Sequence, residues 1–167
     1  MNLFLLRHGL AVERTVPGFK LDSDRPLTPE GRKKIGRLAA VLGQLHLSFD
    51  LILTSPFVRT KQTAGIIAET LDSSKVLKAS ENLAPGDTFE KLVDELSHRH
   101  GILKEVLLVG HEPGLSRFIS ILVTGKRGLA LDLKKGGLCK LEVETLRLGR
   151  CATLQWLLTP KLYSPFA

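Results

Sequence analysis

Short apolar runs alternate with amphipathic stretches over the first three quarters of the chain. Unbroken apolar runs lie within residues 3–6, 50–55 and 105–110, and a shorter one lies within residues 75–79. A continuous apolar run is typical of a parallel strand that is covered on both faces. The pattern therefore predicts four strands, with helices between them.

Start signals precede each predicted helix. Thr28 suits an N-cap and Pro29 the first helical position, and apolar residues follow at helical spacing to Leu45. Asp87 and Glu90 have capping-box spacing, with aspartate in place of serine or threonine. The two other predicted helices begin at prolines: Pro56 and Pro113.

The last third of the chain has a different pattern. Residues 138–143 and 152–158 alternate enough to predict a pair of strands joined by a turn at residues 146–150, and the tail from Pro160 has no predicted structure. Strands that alternate with helices form a mostly parallel sheet. We predict an α/β fold, a three-layer sandwich in one domain spanning residues 1–167, with helices on both faces and an antiparallel C-terminal edge.

The charge balance favours anionic partners. The 167 residues carry a net charge of +7 and only 5% aromatic residues, so nucleic acid, which in single strands stacks on aromatic side chains, is not expected. No apolar run reaches the roughly 18 residues of a membrane span, and Met1 leads directly into the first strand, without room for a signal peptide. We expect a cytoplasmic monomer that does not bind membranes, with Cys139 and Cys151 as reduced thiols.

Polar residues follow three of the predicted strands. Arg7 and His8 follow the first strand. Ser55 ends the second strand, and His111 follows the fourth. Because ligands bind at the carboxyl ends of parallel strands, these residues are expected to converge at one edge of the sheet. Arg59, one turn into the helix after Ser55, can point back to the same edge.

Two histidines and two arginines suit phosphoryl transfer, in which catalysis is mostly positioning and charge stabilisation. Arginine binds phosphate oxygens bidentately, and a neutral imidazole is a competent nucleophile. Nearby guanidinium charges favour the neutral form of His8, and Gly9 leaves room for a ligand. The sequence has neither a Walker-type loop nor a carboxylate cluster typical of magnesium sites, so we expect no metal and no cofactor.

Three motifs, in this order, resemble the histidine phosphatase superfamily, which is phosphoglycerate mutase-like. They are Arg7-His8-Gly9, Ser55-Pro56-x-x-Arg59-x-x-Gln62-Thr63-Ala64 and Gly110-His111. A finer pattern is similar to the phosphohistidine phosphatases of that superfamily. It consists of Arg25-Pro26-Leu27-Thr28 with Gly31, and His111-Glu112-Pro113-x-Leu115. The resemblance extends from residue 3 to about residue 124.

The resemblance implies a role for each catalytic residue. His8 would be the nucleophile that is transiently phosphorylated, Arg7 and Arg59 would clamp the phosphoryl oxygens, and His111 would stabilise the transition state. No metal is implied. Further substrate contacts are expected from Gly9, Ser55, Glu81 and, in the loop of residues 10–26, Arg25.

The chain departs from the wider superfamily in two ways. Many members have a hydrogen-bonding asparagine shortly after the Arg-His-Gly, but here Leu10 and its neighbours include none. Many also have a carboxylic general acid near the middle of the chain, and here the only candidates are Glu81 and, more weakly, Asp87. An alkoxide leaving group needs a proton in the transition state, whereas a phosphoramidate nitrogen can be protonated beforehand. A site without an acid therefore favours phosphohistidine.

We expect a phosphohistidine phosphatase whose partner is a phosphorylated protein, such as a phosphotransfer domain. Two alternatives stay open at this point. One is a phosphatase or mutase acting on a small phosphorylated metabolite, with Glu81 as the acid. The other is a non-catalytic module that binds polyanions.

Overall fold

Strands and helices alternate along most of the chain. The computed structural model describes residues 1–86, 88–98 and 103–163. The strands in these residues are β1 (Asn2–Arg7), β2 (Leu51–Thr54), β3 (Leu77–Ala79), β4 (Glu105–Gly110), β5 (Leu138–Val143) and β6 (Ala152–Leu158). The helices are α1 (Pro29–Gln44), α2 (Val58–Thr70), α3 (Phe89–Ser97), α4 (Gly114–Thr124) and α5 (Pro160–Tyr163).

All of these strands belong to one sheet, in the order β3-β2-β4-β1-β5-β6. The pairs β3/β2, β2/β4 and β4/β1 are parallel, whereas β1/β5 and β5/β6 are antiparallel. The predicted arrangement, a mostly parallel sheet with an antiparallel C-terminal edge, is confirmed. It places the carboxyl ends of β1, β2 and β4 side by side.

Alternation along β1 divides the core into two apolar layers. Leu3 and Leu5 are fully buried on one face, against a cluster that includes residues of α3 and α4. Phe4 and Leu6 are fully buried on the other face, with residues of α1 and α2 and with Tyr163 of α5. Helices therefore cover both faces of the sheet, and the predicted three-layer sandwich is confirmed.

The start of α1 fixes the loop that leaves β1. Thr28 is the N-cap, and its side chain accepts a hydrogen bond from the amide of Gly31 at 3.0 Å. A Cβ at Gly31 would collide with the carbonyl oxygen of Leu10. Glycine is needed here because the chain that follows the first motif passes directly over the first turn of α1.

Several predicted boundaries are wrong by one or two residues. Helix α2 begins at Val58 rather than Pro56, because Phe57 is extended and its amide donates to the Ser55 side chain. Helix α4 begins at Gly114 rather than Pro113. The third strand is shorter than predicted because residues 74–76 form a 3₁₀ turn. Residues 81–83 form another such turn. The capping box predicted at Asp87 lies outside the described residues.

The C-terminal tail is not structureless as predicted. Residues 160–163 form the short helix α5, and Tyr163 is 1% exposed. Its hydroxyl donates to the carbonyl oxygen of Gly136 at 3.1 Å. This contact ties the end of the chain to the turn that precedes β5.

Candidate active site

The three strand ends predicted to converge do so. His8 follows β1 and His111 follows β4, and the amide of His8 donates to the carbonyl of Gly110 at 3.1 Å. Ser55 follows β2, and its amide donates to the carbonyl of Val109 at 3.0 Å. His8 is 7% exposed and His111 is 6% exposed. Both imidazoles thus lie at the carboxyl edge of the sheet, nearly out of contact with bulk water.

Arg59 of α2 lies between the two imidazoles. Its Nε donates to Nε2 of His8 at 3.3 Å, and its Nη2 donates to Nδ1 of His111 at 3.3 Å. The centroids of the two imidazole rings are 5.3 Å apart. Arg59 is itself 3% exposed, so one buried guanidinium links both histidines.

The hydrogen-bond partners assign the protons on both rings. Nδ1 of His8 lies 2.7 Å from the carbonyl oxygen of Gly9, which can only accept, so Nδ1 carries the proton. Nε2 of His8 then accepts from Arg59 and carries the lone pair. An arginine cannot accept, so Nδ1 of His111 is unprotonated and Nε2 donates to the Ser55 hydroxyl at 2.8 Å. His8 therefore presents an unprotonated Nε2 beside Arg59.

Burial and nearby charge keep both rings neutral. Burial and the Arg59, Arg7 and Lys135 charges, acting against a hydrogen bond to Gly9 that raises it, together lower the pKa of His8 from 6.5 to about 4. Burial, with repulsion from His8 and Arg59 as the next causes, likewise lowers the pKa of His111 from 6.5 to about 3. A neutral imidazole is the nucleophilic form.

Asp22, in the loop between β1 and α1, pairs with three arginines. Its Oδ2 accepts from Nη2 of Arg59 at 2.9 Å, and its Oδ1 accepts from Arg25 at 2.6 Å and from Arg14 at 2.8 Å. Burial acts to raise the pKa of Asp22, but hydrogen bonds from Arg25 and Arg59 outweigh it and bring that pKa to about 2. The carboxylate is ionised, and no motif in the sequence singles it out. Asp22 lies three residues before the Arg-Pro-Leu-Thr motif, and only the path of the loop brings it to the arginines.

The turn of residues 133–137 closes the cavity from the antiparallel side. Nη1 of Arg7 donates to the carbonyl of Leu133 at 2.9 Å, and the amide of Gly136 donates to the carbonyls of Arg7 and His8, each at 3.1 Å. Lys135 is exposed and lines the cavity. Nε of Arg7 is buried and has no hydrogen-bond partner among the described residues. A buried donor without a partner is rare, and the residue that carries this one lines the cavity.

Thr63 and Gln62, from the motif of residues 55–64, make hydrogen bonds that the motif alone does not predict. Thr63 accepts from the amide of Gly9 at 3.1 Å and donates to the carbonyl of Arg59 at 2.7 Å. Gln62 accepts from the amide of Leu27 at 2.7 Å. Helix α2 thereby holds both ends of the loop that leaves β1, as well as supplying Arg59.

The residues predicted to bind substrate occupy different places. Arg25 lines the cavity and pairs with Asp22. Gly9 packs against α1, where a Cβ would meet Ile35 at 2.8 Å, so glycine serves packing rather than ligand space. Ser55 is buried behind His111 and bonds to it.

The structure does not place Glu81 at the cavity. Glu81 is exposed in the 3₁₀ turn of residues 81–83 and is absent from the residues that line the cavity. Asp87, the weaker candidate for an acid, lies outside the described residues. The carboxyl that does line the cavity, besides Asp22, is Glu112, whose two oxygens accept from the amide and hydroxyl of Ser116 at 3.0 Å and 2.6 Å.

The catalytic cavity is small and positively charged. Its volume is about 210 Å³. The basic residues at its described wall are Arg7, Arg14, Arg25, Arg59 and Lys135, and the acidic ones are Asp22 and Glu112. No group of three or more potential metal ligands occurs in the described part of the chain. The cavity is suited to a small oxyanion placed within reach of a neutral imidazole.

A buried, unprotonated imidazole nitrogen in a cationic cavity, at the carboxyl edge of a parallel sheet, defines a site for phosphoryl transfer. The sequence profile of the Histidine phosphatase superfamily (branch 1) matches residues 3–84. An uncharacterised protein of Picosynechococcus sp. (strain PCC 7002) is 34% identical over 149 residues, which cover 89% of this chain and 88% of that protein. The chain belongs to the histidine phosphatase superfamily, whose members are phosphatases and mutases.

Other relatives and structures agree with that membership. The "Probable phosphoglycerate mutase GpmB" of Klebsiella pneumoniae is 32% identical over 121 residues, which cover 68% of this chain and only 53% of that protein. The fold matches the protein histidine phosphatase SixA complexed with tungstate, with a TM-score of 0.83 and 22% identity over 96% of this chain and 98% of that one. It also matches the alpha-ribazole phosphatase of Shigella flexneri, with a TM-score of 0.70 and 19% identity over 96% and 97%.

Proposed function

We propose that this protein is a metal-independent phosphohistidine phosphatase that acts on a phosphorylated protein, such as a phosphotransfer domain. His8 is the nucleophile, and Arg7 and Arg59 hold the phosphoryl oxygens. The buried Nε of Arg7, which has no partner among the described residues, supports this role because a phosphoryl oxygen would satisfy it. The fold shared with SixA supports the choice of substrate.

In the first step, Nε2 of His8 attacks phosphorus. The new bond to Nε2 forms as the bond from phosphorus to the imidazole nitrogen of the substrate breaks. The substrate ring leaves as a neutral imidazole because it already carries a proton on its other nitrogen. The His8 ring gains positive charge, which the carbonyl of Gly9 stabilises through its bond to Nδ1.

In the second step, water displaces His8. The bond from phosphorus to Nε2 breaks, the oxygen and both protons of water leave in dihydrogen phosphate, and His8 returns to its neutral form. In both steps negative charge develops on the equatorial oxygens, where Arg7 and Arg59 can pair with it. A bound phosphoryl anion also favours protonation of His111, which then donates to that group.

The observation that carries the choice of substrate is the state of Asp22. Hydrogen bonds from Arg25 and Arg59, against the opposing effect of burial, bring its pKa to about 2. An ionised carboxylate cannot protonate an alkoxide leaving group, and a leaving imidazole does not require it to. The cavity thus suits a phosphoramidate better than a phosphate ester.

Glu112 favours a second candidate function. It lines the catalytic cavity, and a protonated Glu112 could serve as the general acid for a phosphate ester of a small metabolite. That function requires Ser116 to release one carboxyl oxygen, because both oxygens accept hydrogen bonds from it. The two functions therefore make opposite predictions for Glu112.

The experiment compares turnover of a phosphohistidine protein with turnover of a panel of phosphate monoesters. We expect the phosphohistidine protein to be preferred, and Glu112→Gln to change its turnover less than threefold. The matched control is Glu81→Gln, an exposed carboxyl outside the cavity. Brisk ester hydrolysis that falls by roughly 10²–10⁴ in Glu112→Gln, the usual contribution of a positioned acid, would establish the metabolite function instead.

Two further measurements test the chemistry itself. Acid-labile, alkali-stable label should be trapped on His8 when the reaction is quenched, and label on serine or aspartate would remove His8 from its role. Activity should survive exhaustive chelation, and restoration of a chelated enzyme by magnesium or zinc would contradict metal independence. We also propose a cytoplasmic location. As a separate observation, no helix among the described residues has the length and apolar character needed to cross a membrane.

A further inference from the structure

A second cavity adjoins the catalytic one. It has a volume of about 300 Å³ and lies between residues 82–86, helix α3 and the start of α4. Its inner wall is apolar and includes Leu83, Phe89, Leu115 and Phe118. The rings of Phe89 and Phe118 stack with centroids 5.3 Å apart, and both residues are buried. We call this cavity the apolar groove.

The apolar groove and the catalytic cavity share part of their walls. Pro85, His111 and Glu112 line both. These shared residues form a partition between the two cavities. Glu112 accepts hydrogen bonds from the amide and hydroxyl of Ser116, which fixes the partition to the first turn of α4. When the phosphoryl group of a bound molecule reaches His8, the atoms next to that phosphoryl group therefore lie beside this partition. The apolar groove lies directly beyond the partition.

We propose that the apolar groove binds an apolar side chain of the substrate protein, one helical turn from its phosphohistidine. This inference rests on the proposed function. Side chains three or four positions apart on a helix are neighbours, with Cβ atoms about 5–6 Å apart. A phosphohistidine that enters the catalytic cavity from a helix thus brings such a neighbour to the adjoining groove.

The size and chemistry of the groove favour this occupant. A volume of 300 Å³ is at the lower end of the range of about 300–1,000 Å³ for ligand sites, which suits one large side chain rather than a whole cofactor. A hydroxylated or charged leaving group would need several placed hydrogen-bond partners. Leucine, phenylalanine and proline form much of the wall, which also includes Asn82 and Arg117, so the groove favours an apolar group over one that needs many hydrogen bonds.

Gly114 allows the groove to be filled without disturbing the core. It lines the groove at the first residue of α4, and a Cβ added there would meet nothing within 4 Å. Gly114→Leu therefore adds an apolar side chain at the groove wall. The matched control is Gly36→Leu in α1, where a Cβ would also meet nothing within 4 Å and where neither cavity is lined.

The test uses two substrates of the same chemistry. One is a histidine phosphotransfer domain phosphorylated with phosphoramidate, and the other is phosphoramidate alone, which has no group to place in the groove. We expect Gly114→Leu to lower kcat/KM for the phosphorylated domain by about 10- to 100-fold, the value of burying one large apolar side chain. Phosphoramidate turnover should change less than threefold, and Gly36→Leu should leave both reactions unchanged.

Substitutions in the phosphorylated domain provide a second test of the groove proposal. Replacing the apolar residues one turn to either side of the phosphohistidine by serine should lower kcat/KM for the wild-type enzyme and have little further effect on Gly114→Leu. Unchanged turnover of the phosphorylated domain by Gly114→Leu would overturn the groove proposal. Equal loss with both substrates would also overturn it, because the groove would then support the catalytic residues rather than bind substrate.

Assays of the wild-type enzyme distinguish a failure of the groove proposal from a failure of the proposed function. If it ignores the phosphorylated domain and hydrolyses phosphate monoesters, the proposed function fails, and the protein occupant fails with it. If it turns over the phosphorylated domain and Gly114→Leu does so equally well, the proposed function stands and the groove proposal alone is wrong.

Discussion

Two walls of the catalytic cavity are built by different means. The parallel wall, formed by the ends of β1, β2 and β4 with α2, contributes side chains: Arg59 donates to both His8 and His111. The C-terminal wall, residues 133–137, contributes mainly backbone. The carbonyl of Leu133 accepts from Arg7, and the amide of Gly136 donates to carbonyls of β1 and His8.

We assign the chemistry to the parallel wall and structural support to the C-terminal wall. The parallel wall needs particular side chains, because only a guanidinium and an imidazole have the required donors and lone pair. The C-terminal wall needs a particular backbone path, which Tyr163 holds by donating to Gly136. Substitutions on the parallel wall should therefore reduce the rate directly. Those on the C-terminal wall should act through stability or through long-range charge.

The largest effect is expected on the parallel wall, from Arg59→Ala. It removes the donors that connect His8, His111 and Asp22 and that can pair with the phosphoryl oxygens. Losing one such donor typically costs on the order of 10²–10³ in rate, and Arg7→Ala and His111→Ala should fall in the same range. Steady-state kinetics on a phosphohistidine protein measure this.

A conservative variant separates charge from geometry at the same position. Arg59→Lys keeps the charge but loses the planar fork, so most of the rate should still be lost. Near-full activity in any of the three alanine variants would show that the residue does not contact the phosphoryl group. Circular dichroism and thermal unfolding confirm that each variant is folded.

The second effect is on the acid limb of the pH profile. Burial and nearby cations lower the pKa of His8 to about 4, whereas an unperturbed histidine titrates near 6.5. The nucleophile is neutral above its pKa, so kcat/KM should hold down to about pH 5 and fall as the pH approaches 4. NMR titration of the His8 ring checks this directly, and a midpoint near 6.5 would contradict it.

The same shifts predict how stability depends on pH. Between about pH 6.5 and pH 4 the unfolded histidines bind protons while His8 and His111 stay neutral in the folded protein. The unfolded state then binds more protons, so the free energy of unfolding decreases as the pH falls through this window. His111→Asn should make that decrease shallower, as measured by urea denaturation at several pH values.

The C-terminal wall should respond to Gly136→Ala mainly through stability. Gly136 has a φ of +79°, and a Cβ there would lie 2.8 Å from the Tyr163 hydroxyl. We expect a loss of about 1–3 kcal/mol in the free energy of unfolding, the usual cost of such a backbone conformation. Tyr163→Phe, which removes one hydrogen bond and keeps the ring, should cost about 0.5–1.5 kcal/mol. A fully stable Gly136→Ala would mean that the turn is not fixed by this contact.

The contrast between the walls also explains what could be predicted from the sequence. The parallel wall was predictable because apolar runs end at fixed polar residues, and strand ends in a parallel sheet share an edge. Arg59 followed from its place one turn into α2. Asp22 and Tyr163 were missed because their roles depend on the path of a loop and of the C-terminal tail. Periodicity does not encode such paths.

Glu81 illustrates a related limit. The sequence offers Glu81 as a candidate acid near the middle of the chain, and it equally allows Glu81 to be a solvated loop residue. The carboxyl that lines the cavity is instead Glu112, directly after His111. Its position depends on the turn between β4 and α4, where the backbone changes direction, and not on any periodic pattern.

The smallest effect is expected from Lys135, the charge that the C-terminal wall adds to the cavity. Lys135 is exposed, lines the cavity beside Arg7 and His8, and is the last of the influences that lower the pKa of His8, after burial and the two arginines. Lys135→Ala should raise KM for a phosphorylated substrate about two- to fivefold, the usual strength of an exposed charge pair, with kcat nearly unchanged.

The neighbouring Lys134 pairs with Asp132 and does not line the cavity, so Lys134→Ala is the matched control. The difference between the two variants should shrink as salt is raised, because exposed charges are screened over about 8–10 Å at physiological ionic strength. Equal effects of the two variants would show that Lys135 has no specific role at the cavity. A loss in kcat with Lys135→Ala that salt does not alter would instead place Lys135 on the phosphoryl group itself.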